Sequence, residues 1–148
     1  MADLRAESDQ KLSKAARLLG VDTPPTLDET LASGVLLRLF LQHMRRAQAP
    51  ECLLFLKQTA LFARLARPPA ELQRAAVHIL WTYVVPGAPL EVNISAGVRA
   101  PLVRVLWDRA AAAAVTQRLF DAAAGEVRTL IGPHYRAWLL RGQWAGVR

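Results

Sequence analysis

The sequence predicts an all-α fold, a helical bundle with a smaller helical layer appended to it. Alanine and leucine dominate the composition and β-branched residues are fewer, which favours helix over strand. Apolar residues recur at spacings of three and four between proline and glycine signals, and no segment shows the alternation typical of a strand. The length of 148 residues suits one domain with one core.

The first half of the chain predicts four helices. A first helix over about Ser8–Leu19 stops at Gly20, and a capping box at Thr26–Glu29 opens a short second helix that ends at Ser33-Gly34. A third is predicted over Val35–Arg46, and a fourth from Pro50 to about Ala66, before two prolines. The spacing places these side chains in the core: Leu36, Leu39, Phe40 and Met44 on the third helix, and Leu54, Phe55, Leu61, Phe62 and Leu65 on the fourth.

The second half predicts four more. They are a fifth helix over about Ala70–Val84, a sixth capped by Ser95 and reaching about Trp107 or beyond, a seventh over Thr116–Ile131, and an eighth over His134–Leu140. Gly132-Pro133 is expected to separate the last two. The expected inward side chains are Leu72, Ala76, Ile79, Leu80 and Tyr83 on the fifth helix, and Leu119, Phe120, Ala123, Val127 and Leu130 on the seventh.

Motifs for metal, cofactor or nucleotide chemistry are missing from the sequence. His43, His78 and His134 lie far apart, and none has a second ligand three or four residues away, so we interpret them as ordinary histidines and expect no metal. No glycine-rich phosphate loop occurs, so no cofactor is expected. The single cysteine, Cys52, lies near a helix N-terminus, where a thiol pKa can be lowered, but a plain packing or interface residue is the favoured interpretation.

The charge and hydropathy of the sequence limit the cellular location and the partners that the protein can have. The net charge of +7 would suit nucleic acid, an anionic membrane or an acidic protein face, but the arginines are scattered, which favours a solvated basic surface. A single cysteine excludes an internal disulfide and fits a reducing compartment. The apolar runs are shorter than a membrane span, and the N-terminus is polar, without the pattern of a signal peptide. We therefore expect a cytoplasmic protein.

Several motifs resemble the regulator of G-protein signalling (RGS) domains. The segment Ile79–Val84, then Pro86-Gly87-Ala88-Pro89, then Glu91-Val92-Asn93-Ile94-Ser95, is similar to the family's fifth-to-sixth-helix segment. The order and spacing of further matches agree from about Leu27 to Leu139: Leu27–Leu31, Gly34, Phe40, Glu51 with Leu53-Leu54-Phe55, Phe120–Ala123, Leu130-Ile131, Tyr135 and Trp138-Leu139. The resemblance implies an RGS-like fold, an antiparallel four-helix bundle with a smaller terminal helical subdomain. It divides the chain into an N-terminal segment with the first helix (1–23), the RGS-like domain (24–141) and a short basic tail (142–148).

The resemblance also implies a function. RGS domains bind the switch regions of a Gα subunit, in its GTP-bound or transition-state form, and accelerate GTP hydrolysis without catalytic residues of their own. No enzyme activity, small-molecule substrate or nucleic acid is then expected. Apart from the resemblance, the net charge of +7 permits peripheral contact with an anionic membrane, at the inner face of the plasma membrane. The implied Gα-binding residues, from three loops, are Ala49, Glu51, Cys52, Glu91, Asn93, Leu130, Pro133, His134 and Ala137.

Departures from the family pattern keep a second function open. Cys52 stands where the family usually has an asparagine, and a thiol replaces an amide poorly as donor and acceptor. Ala137 replaces an arginine, and the third loop is one residue short. Leu56 and Ala60 replace a tryptophan and a glutamate on the fourth helix. The alternative is a divergent RGS-homology docking module without GTPase-activating activity, which binds another protein or a membrane.

Overall fold

The computed structural model describes residues 5–7, 9–12, 14 and 23–147. These residues form helices and connecting turns with no strand among them, which confirms the all-α prediction. A π-helical segment, Leu80–Val84, continues the helix Pro69–Ile79, and a 3₁₀ helix, Gln143–Val147, follows the helix Asp121–Leu140. The α-helices are Leu27–Ala32 (α1), Gly34–Arg46 (α2), Pro50–Phe62 (α3), Pro69–Ile79 (α4), Ala96–Arg104 (α5), Arg109–Ala113 (α6) and Asp121–Leu140 (α7).

The chain forms two compact units. The terminal unit combines both chain ends, Met1–Pro50 and Ile131–Arg148, and the central unit is Glu51–Leu130. Helix α7 contributes residues up to Leu130 to the central unit and the rest to the terminal unit. A four-helix bundle with a smaller terminal helical subdomain agrees with this division.

The terminal unit is packed around aromatic side chains from α2 and α7. Phe40 is fully buried, and its ring lies 5.1 Å from that of Tyr135 and 5.0 Å from that of Trp138. The hydroxyl of Tyr135 donates to the carbonyl of Pro25 at 2.6 Å and lies 2.8 Å from the Thr30 hydroxyl, so these buried polar groups are satisfied. Trp144 of the 3₁₀ helix is also buried, and its indole N–H donates to Leu139.

Capping explains where α1 and α2 begin. The predicted capping box is present: the Thr26 hydroxyl accepts from the Glu29 N–H, and the Glu29 carboxylate accepts from the Thr26 N–H. Ser33 ends α1 and caps α2, accepting from the Leu36 N–H. On α2 the predicted stripe is confirmed at Leu36, Phe40 and Met44, and Leu39 is half-buried.

Helix α2 ends in a Schellman motif with an unusual residue. The Ala49 N–H donates to Met44 and the Gln48 N–H to Arg45, the paired bonds of this motif. Gln48 has φ of 59°, and it is the one non-glycine residue with positive φ in the described part of the chain. A residue with a Cβ is strained in this left-handed conformation, which glycine adopts freely.

Gln48→Gly is expected to raise the free energy of unfolding by about 1 kcal/mol, because it removes the strain of the left-handed backbone. The measurement is urea denaturation followed by circular dichroism. Ala47→Gly is the matched control, since Ala47 has ordinary negative φ and the added freedom of glycine there should destabilise the fold. A Gln48→Gly variant no more stable than the wild type would contradict this account.

The central unit is packed around Phe55, Phe62, Tyr83 and Phe120. The ring of Phe120 lies edge-on to those of Phe55 and Phe62, and the ring of Phe55 lies edge-on to that of Tyr83. The predicted core of α4 and its continuation is confirmed throughout, with these side chains buried: Leu72, Ala76, Ile79, Leu80 and Tyr83.

The prediction for α3 was partly wrong. The helix ends at Phe62 instead of about Ala66, and Leu61 is exposed while Leu54 and Leu65 are half-buried. The buried face differs from the predicted one because it includes Thr59. The Thr59 hydroxyl is satisfied there, since it donates to the Phe55 carbonyl at 2.9 Å. A polar residue was not expected in the stripe. The buried side chains of α3 are Cys52, Leu53, Phe55, Leu56, Thr59 and Phe62.

Helix α7 contradicts the predicted break at Gly132-Pro133, because it runs without interruption from Asp121 to Leu140. A residue before proline usually avoids helix because its Cβ meets the proline ring, but Gly132 has no Cβ. The Arg136 guanidinium occupies the space beside Gly132, 3.7 Å from an ideal Cβ position. The predicted inward residues Phe120, Ala123 and Val127 are buried, whereas Leu119 is half-buried and Leu130 is 41% exposed. The helix begins at Asp121 instead of Thr116.

Other boundaries also differ. Helix α5 ends at Arg104, short of the predicted Trp107, which is 70% exposed. The alanine-rich segment Arg109–Ala113 forms α6, capped by Asp108, whose carboxylate accepts from two backbone N–H groups. Of the first predicted helix, residues 9–12 and 14 are helical, and the rest, with its stop at Gly20, lies outside the described residues.

Candidate functional site

The connection from α4 to α5 is tied to the open end of the π-helical segment. In this segment the Val85 N–H donates to Leu80, five residues back, which widens the last turn. Two carbonyls of the turn then accept from the connection: Thr82 from the Leu90 N–H at 3.0 Å, and Tyr83 from the Val92 N–H at 2.9 Å. Carbonyls left free at a helix end are thus satisfied by the following loop.

Glu91 and Arg99 hold the middle of the connection. One carboxylate oxygen of Glu91 accepts from the Gly87 N–H at 2.8 Å, and the other lies 3.3 Å from the Arg99 guanidinium. The same guanidinium donates to the Val92 carbonyl at 2.8 Å. The predicted Gα-binding residue Glu91 therefore stabilises the loop itself, and Arg99 neutralises its charge.

Ser95 and Glu126 fix the end of the connection. The Glu126 carboxylate accepts from both the N–H and the hydroxyl of Ser95, each at 2.9 Å. Ser95 occupies the N-cap position of α5, but the prediction that its side chain caps the helix was wrong, because the hydroxyl bonds to Glu126 instead. These two hydrogen bonds lower the pKa of Glu126 below its ordinary value of 4.5.

Glu126→Gln is expected to flatten the dependence of stability on pH below about pH 4.5. The unfolded chain binds a proton at Glu126 at higher pH than the folded chain does. The contribution of Glu126 is therefore fully present above pH 4.5 and is lost as pH falls through the lowered pKa. Chemical denaturation at a series of pH values measures how the free energy of unfolding depends on pH. Ser95→Ala should flatten this dependence as Glu126→Gln does. Parallel curves for wild type and both variants would contradict the expectation.

Asn93 is exposed in the middle of this braced loop. Its neighbours Val92, 1% exposed, and Ile94 are buried and anchor the backbone on either side. The Ile94 N–H donates to the Val92 carbonyl at 3.1 Å, so Asn93 is the central residue of a γ-turn. Its φ is not positive, and its side chain makes no hydrogen bond with another described residue. The turn therefore does not require an asparagine, which leaves the amide available to a partner.

Glu51 and Cys52 begin α3 with different degrees of burial. Glu51 is half-buried, whereas Cys52 is 8% exposed and packs in the core of the central unit. Burial raises the pKa of the Cys52 thiol to about 11, and the Glu51 carboxylate acts in the same direction. The direction is opposite to what a helix N-terminus alone would give, so the thiol is a neutral packing group at physiological pH.

The third predicted segment is helical. Pro133, His134 and Ala137 lie on the part of α7 that belongs to the terminal unit, with Pro133 and Ala137 exposed and His134 half-buried. Leu130, also exposed, lies on the part that belongs to the central unit. Ala49 is half-buried at the end of the Schellman motif. The short third loop expected from the sequence is therefore a continuous helical surface.

A groove lies between α3 and the first half of α7 within the central unit. Its volume is about 250 Å³, and four of its ten lining residues are small: Ala60, Ala63, Ala124 and Gly125. Leu56 and Ala60 are the residues that replace the larger side chains of the RGS pattern. Leu56 and Ala60 both line the groove.

Sequence reasoning missed the two groups that hold the Asn93 loop. Arg99 and Glu126 follow the loop by 6 and 33 residues, and neither stands in the motifs that carried the resemblance. Arg99 lies one turn into α5, close to the loop in the sequence. Its position alone gave only a weak indication that it anchors the loop. Glu126 gives no signal, because only the packing of α7 brings it to Ser95.

The described residues contain neither a metal-binding cluster nor a membrane-spanning helix. No group of three histidine, cysteine, aspartate or glutamate side chains is arranged to hold a metal ion in the described part of the chain. No helix among the described residues is both long and apolar enough to cross a membrane.

Comparison with known proteins identifies the family. A search of curated proteins found no match. The family model of the regulator of G protein signaling domain matches residues 26–135, more than half of the 148 residues. This range includes α1 to α6, the Asn93 loop and α7 as far as Tyr135. With the all-helical structure, the match confirms the resemblance of the motifs, and the chain belongs to the family of regulator of G protein signaling domains, which act in G-protein signalling.

Proposed function

We propose that this domain binds the switch regions of a Gα subunit and accelerates GTP hydrolysis by stabilising the transition-state conformation. The observation that supports it most directly is the exposed amide of Asn93 on a loop held on both sides. The domain supplies no catalytic group of its own in this function. It acts on the cytoplasmic side of the membrane.

The bracing of the loop gives the physical reason. An interface residue costs less conformational entropy on binding when its backbone is already fixed. The Asn93 loop has backbone bonds to Thr82 and Tyr83 and side-chain bonds from Arg99 and Glu126. Such a loop can hold a flexible switch segment in one arrangement, so that the entropy of ordering the switch is removed before the chemical step.

The other contact residues are proposed by resemblance. These residues are exposed or half-buried and can contribute to a protein interface: Ala49, Glu51, Leu130, Pro133, His134 and Ala137. Cys52 follows Glu51 in the sequence, is buried and presents little surface to a partner. Glu91 contributes by holding the loop.

Binding to Gα loaded with GDP alone, or with GDP plus aluminium fluoride, tests the proposal. Aluminium fluoride imitates the transferring phosphate, so a domain that stabilises the transition state should bind this form much more tightly. Single-turnover GTP hydrolysis with the same Gα should be accelerated in parallel. Absence of binding to the fluoride form across several Gα classes would overturn the proposal.

A second candidate function is docking of another protein without GTPase activation. The groove lined by Ala60, Ala63 and Ala124 favours it, because this space is open where the RGS pattern has large side chains. Ala60→Trp separates the two functions, since it should fill the groove without touching the Asn93 loop. If the Ala60→Trp variant keeps the preference of the wild type for Gα with aluminium fluoride, the result supports GTPase activation. If neither the wild type nor the variant binds any form of Gα, the result favours docking.

A further inference from the structure

The terminal unit carries basic side chains without acidic ones on two of its elements. Neither α2 nor the segment 131–148 contains an aspartate or glutamate. Their five arginines within the described residues form no ion pair there. Four of the five are exposed, and the fifth, Arg136, is half-buried beside Gly132: Arg38, Arg45, Arg46, Arg136 and Arg141.

The fold brings part of this charge together around His43. His43 stacks on Phe40 at 6.1 Å, and Phe40 contacts Trp138, so α2 and the end of α7 are packed against each other. Burial lowers the pKa of His43, and the positive charges of Arg141, His134 and Arg46 lower it further. The two arginines that act on His43, Arg46 from α2 and Arg141 from the C-terminal segment, are called the basic cluster. The fold therefore places two of the scattered arginines, one from each element, near the same histidine.

The surroundings of the cluster indicate the chemistry of its partner. Two exposed arginines near the same histidine, on elements without an aspartate or glutamate, attract a polyanion such as a phosphate-bearing surface. Single-stranded nucleic acid would also require exposed aromatic side chains for stacking, but the aromatic side chains described in this unit are buried: Phe40, Tyr135, Trp138 and Trp144. Exposed apolar side chains occur instead, Leu140 beside Arg141 and Val35 on α2. A combination of exposed arginine and leucine suits the headgroup region of a membrane.

We propose that the basic cluster and Leu140 bind the headgroup region of an anionic membrane. The guanidinium groups of Arg46 and Arg141 contact lipid phosphates and acidic headgroups, while Leu140 enters the boundary with the acyl chains. This contact is independent of whether the domain activates a GTPase. It assigns to a named surface the peripheral membrane contact that the net charge only permitted.

Co-sedimentation with phosphatidylcholine vesicles, with and without phosphatidylserine, tests this proposal. The wild-type domain should bind the vesicles with phosphatidylserine, and binding should weaken as salt is raised. Each arginine near an anionic surface contributes about fivefold to partitioning, so Arg46→Gln combined with Arg141→Gln should lower it by about 25-fold. Leu140→Ser should weaken binding less strongly and leave its salt dependence unchanged.

The control pair is Arg64→Gln with Arg118→Gln, which removes the same charge from exposed positions of the central unit. It should lower partitioning by less than about threefold, since these arginines lie outside the proposed surface. His134 stays unchanged because it also belongs to the proposed Gα-binding set. Circular dichroism checks that each variant is folded. The proposal would be overturned if the two double variants lost vesicle partitioning equally or if the wild type did not bind the vesicles. Tighter binding to single-stranded DNA than to vesicles would also overturn it.

Discussion

Asn93→Ala should lower the stimulation of GTP hydrolysis by about 30-fold or more, and it should leave the free energy of unfolding within about 0.5 kcal/mol of the wild type. A central interface side chain contributes about 2 kcal/mol or more to binding, and 2 kcal/mol corresponds to about 30-fold in rate at a fixed subsaturating concentration. The stability is preserved because the side chain is exposed and makes no hydrogen bond with another described residue. Single-turnover hydrolysis and urea denaturation measure the two quantities.

Gln58→Ala is the control for this experiment, because Gln58 is an exposed amide on α3 of the same unit, outside the proposed contact residues. It should leave both quantities unchanged. If Asn93→Ala instead destabilised the domain by several kcal/mol, with stimulation lost only in proportion to the unfolded fraction, Asn93 would be a structural turn residue.

Phe40→Ala is expected to lower the free energy of unfolding by about 3–5 kcal/mol, the largest effect among the variants considered. Phe40 is fully buried and contacts Tyr135, Trp138 and His43 through its ring. Removing the ring loses its transfer free energy and leaves a cavity between rigid aromatic neighbours that cannot collapse into it. Urea denaturation, followed by tryptophan fluorescence and circular dichroism, gives the difference.

Val35→Ala on the same helix is the matched control. Val35 is 53% exposed, so its truncation should change stability by less than about 0.5 kcal/mol. Phe40→Leu, which keeps most of the apolar volume, should give an intermediate loss. A loss for Phe40→Ala no greater than that for Val35→Ala would mean that the aromatic cluster does not stabilise the terminal unit.

Helix existence was predictable where local signals agree. The capping box at Thr26 and the periodic stripe of α2 depend on side chains within a few residues of one another, and both are present in the structure. The errors occurred where a rule had a local exception. Gly132 lacks the Cβ that would meet the ring of Pro133, and the Thr59 hydroxyl finds a backbone carbonyl inside an apolar stripe.

The candidate site was predictable in part, for a different reason. The motif around Asn93 indicated a functional loop, and that loop is ordered by contacts the motif does not contain. Glu126 reaches Ser95 only through tertiary packing, and the cations around His43 come together only when α2 packs on α7. Contacts between residues distant in the sequence leave no periodic signal, so one sequence alone could not indicate them.

The burial of Cys52 has a practical consequence for labelling. A thiol with a pKa of about 11 is less than about 0.1% thiolate at neutral pH, and its small exposed area further limits attack by maleimides or iodoacetamide. Cys52 is also the single cysteine of the chain. A fluorophore or spin label attached to a cysteine introduced on an exposed helix position, such as Gln58, would therefore report from one known place without prior removal of the native thiol.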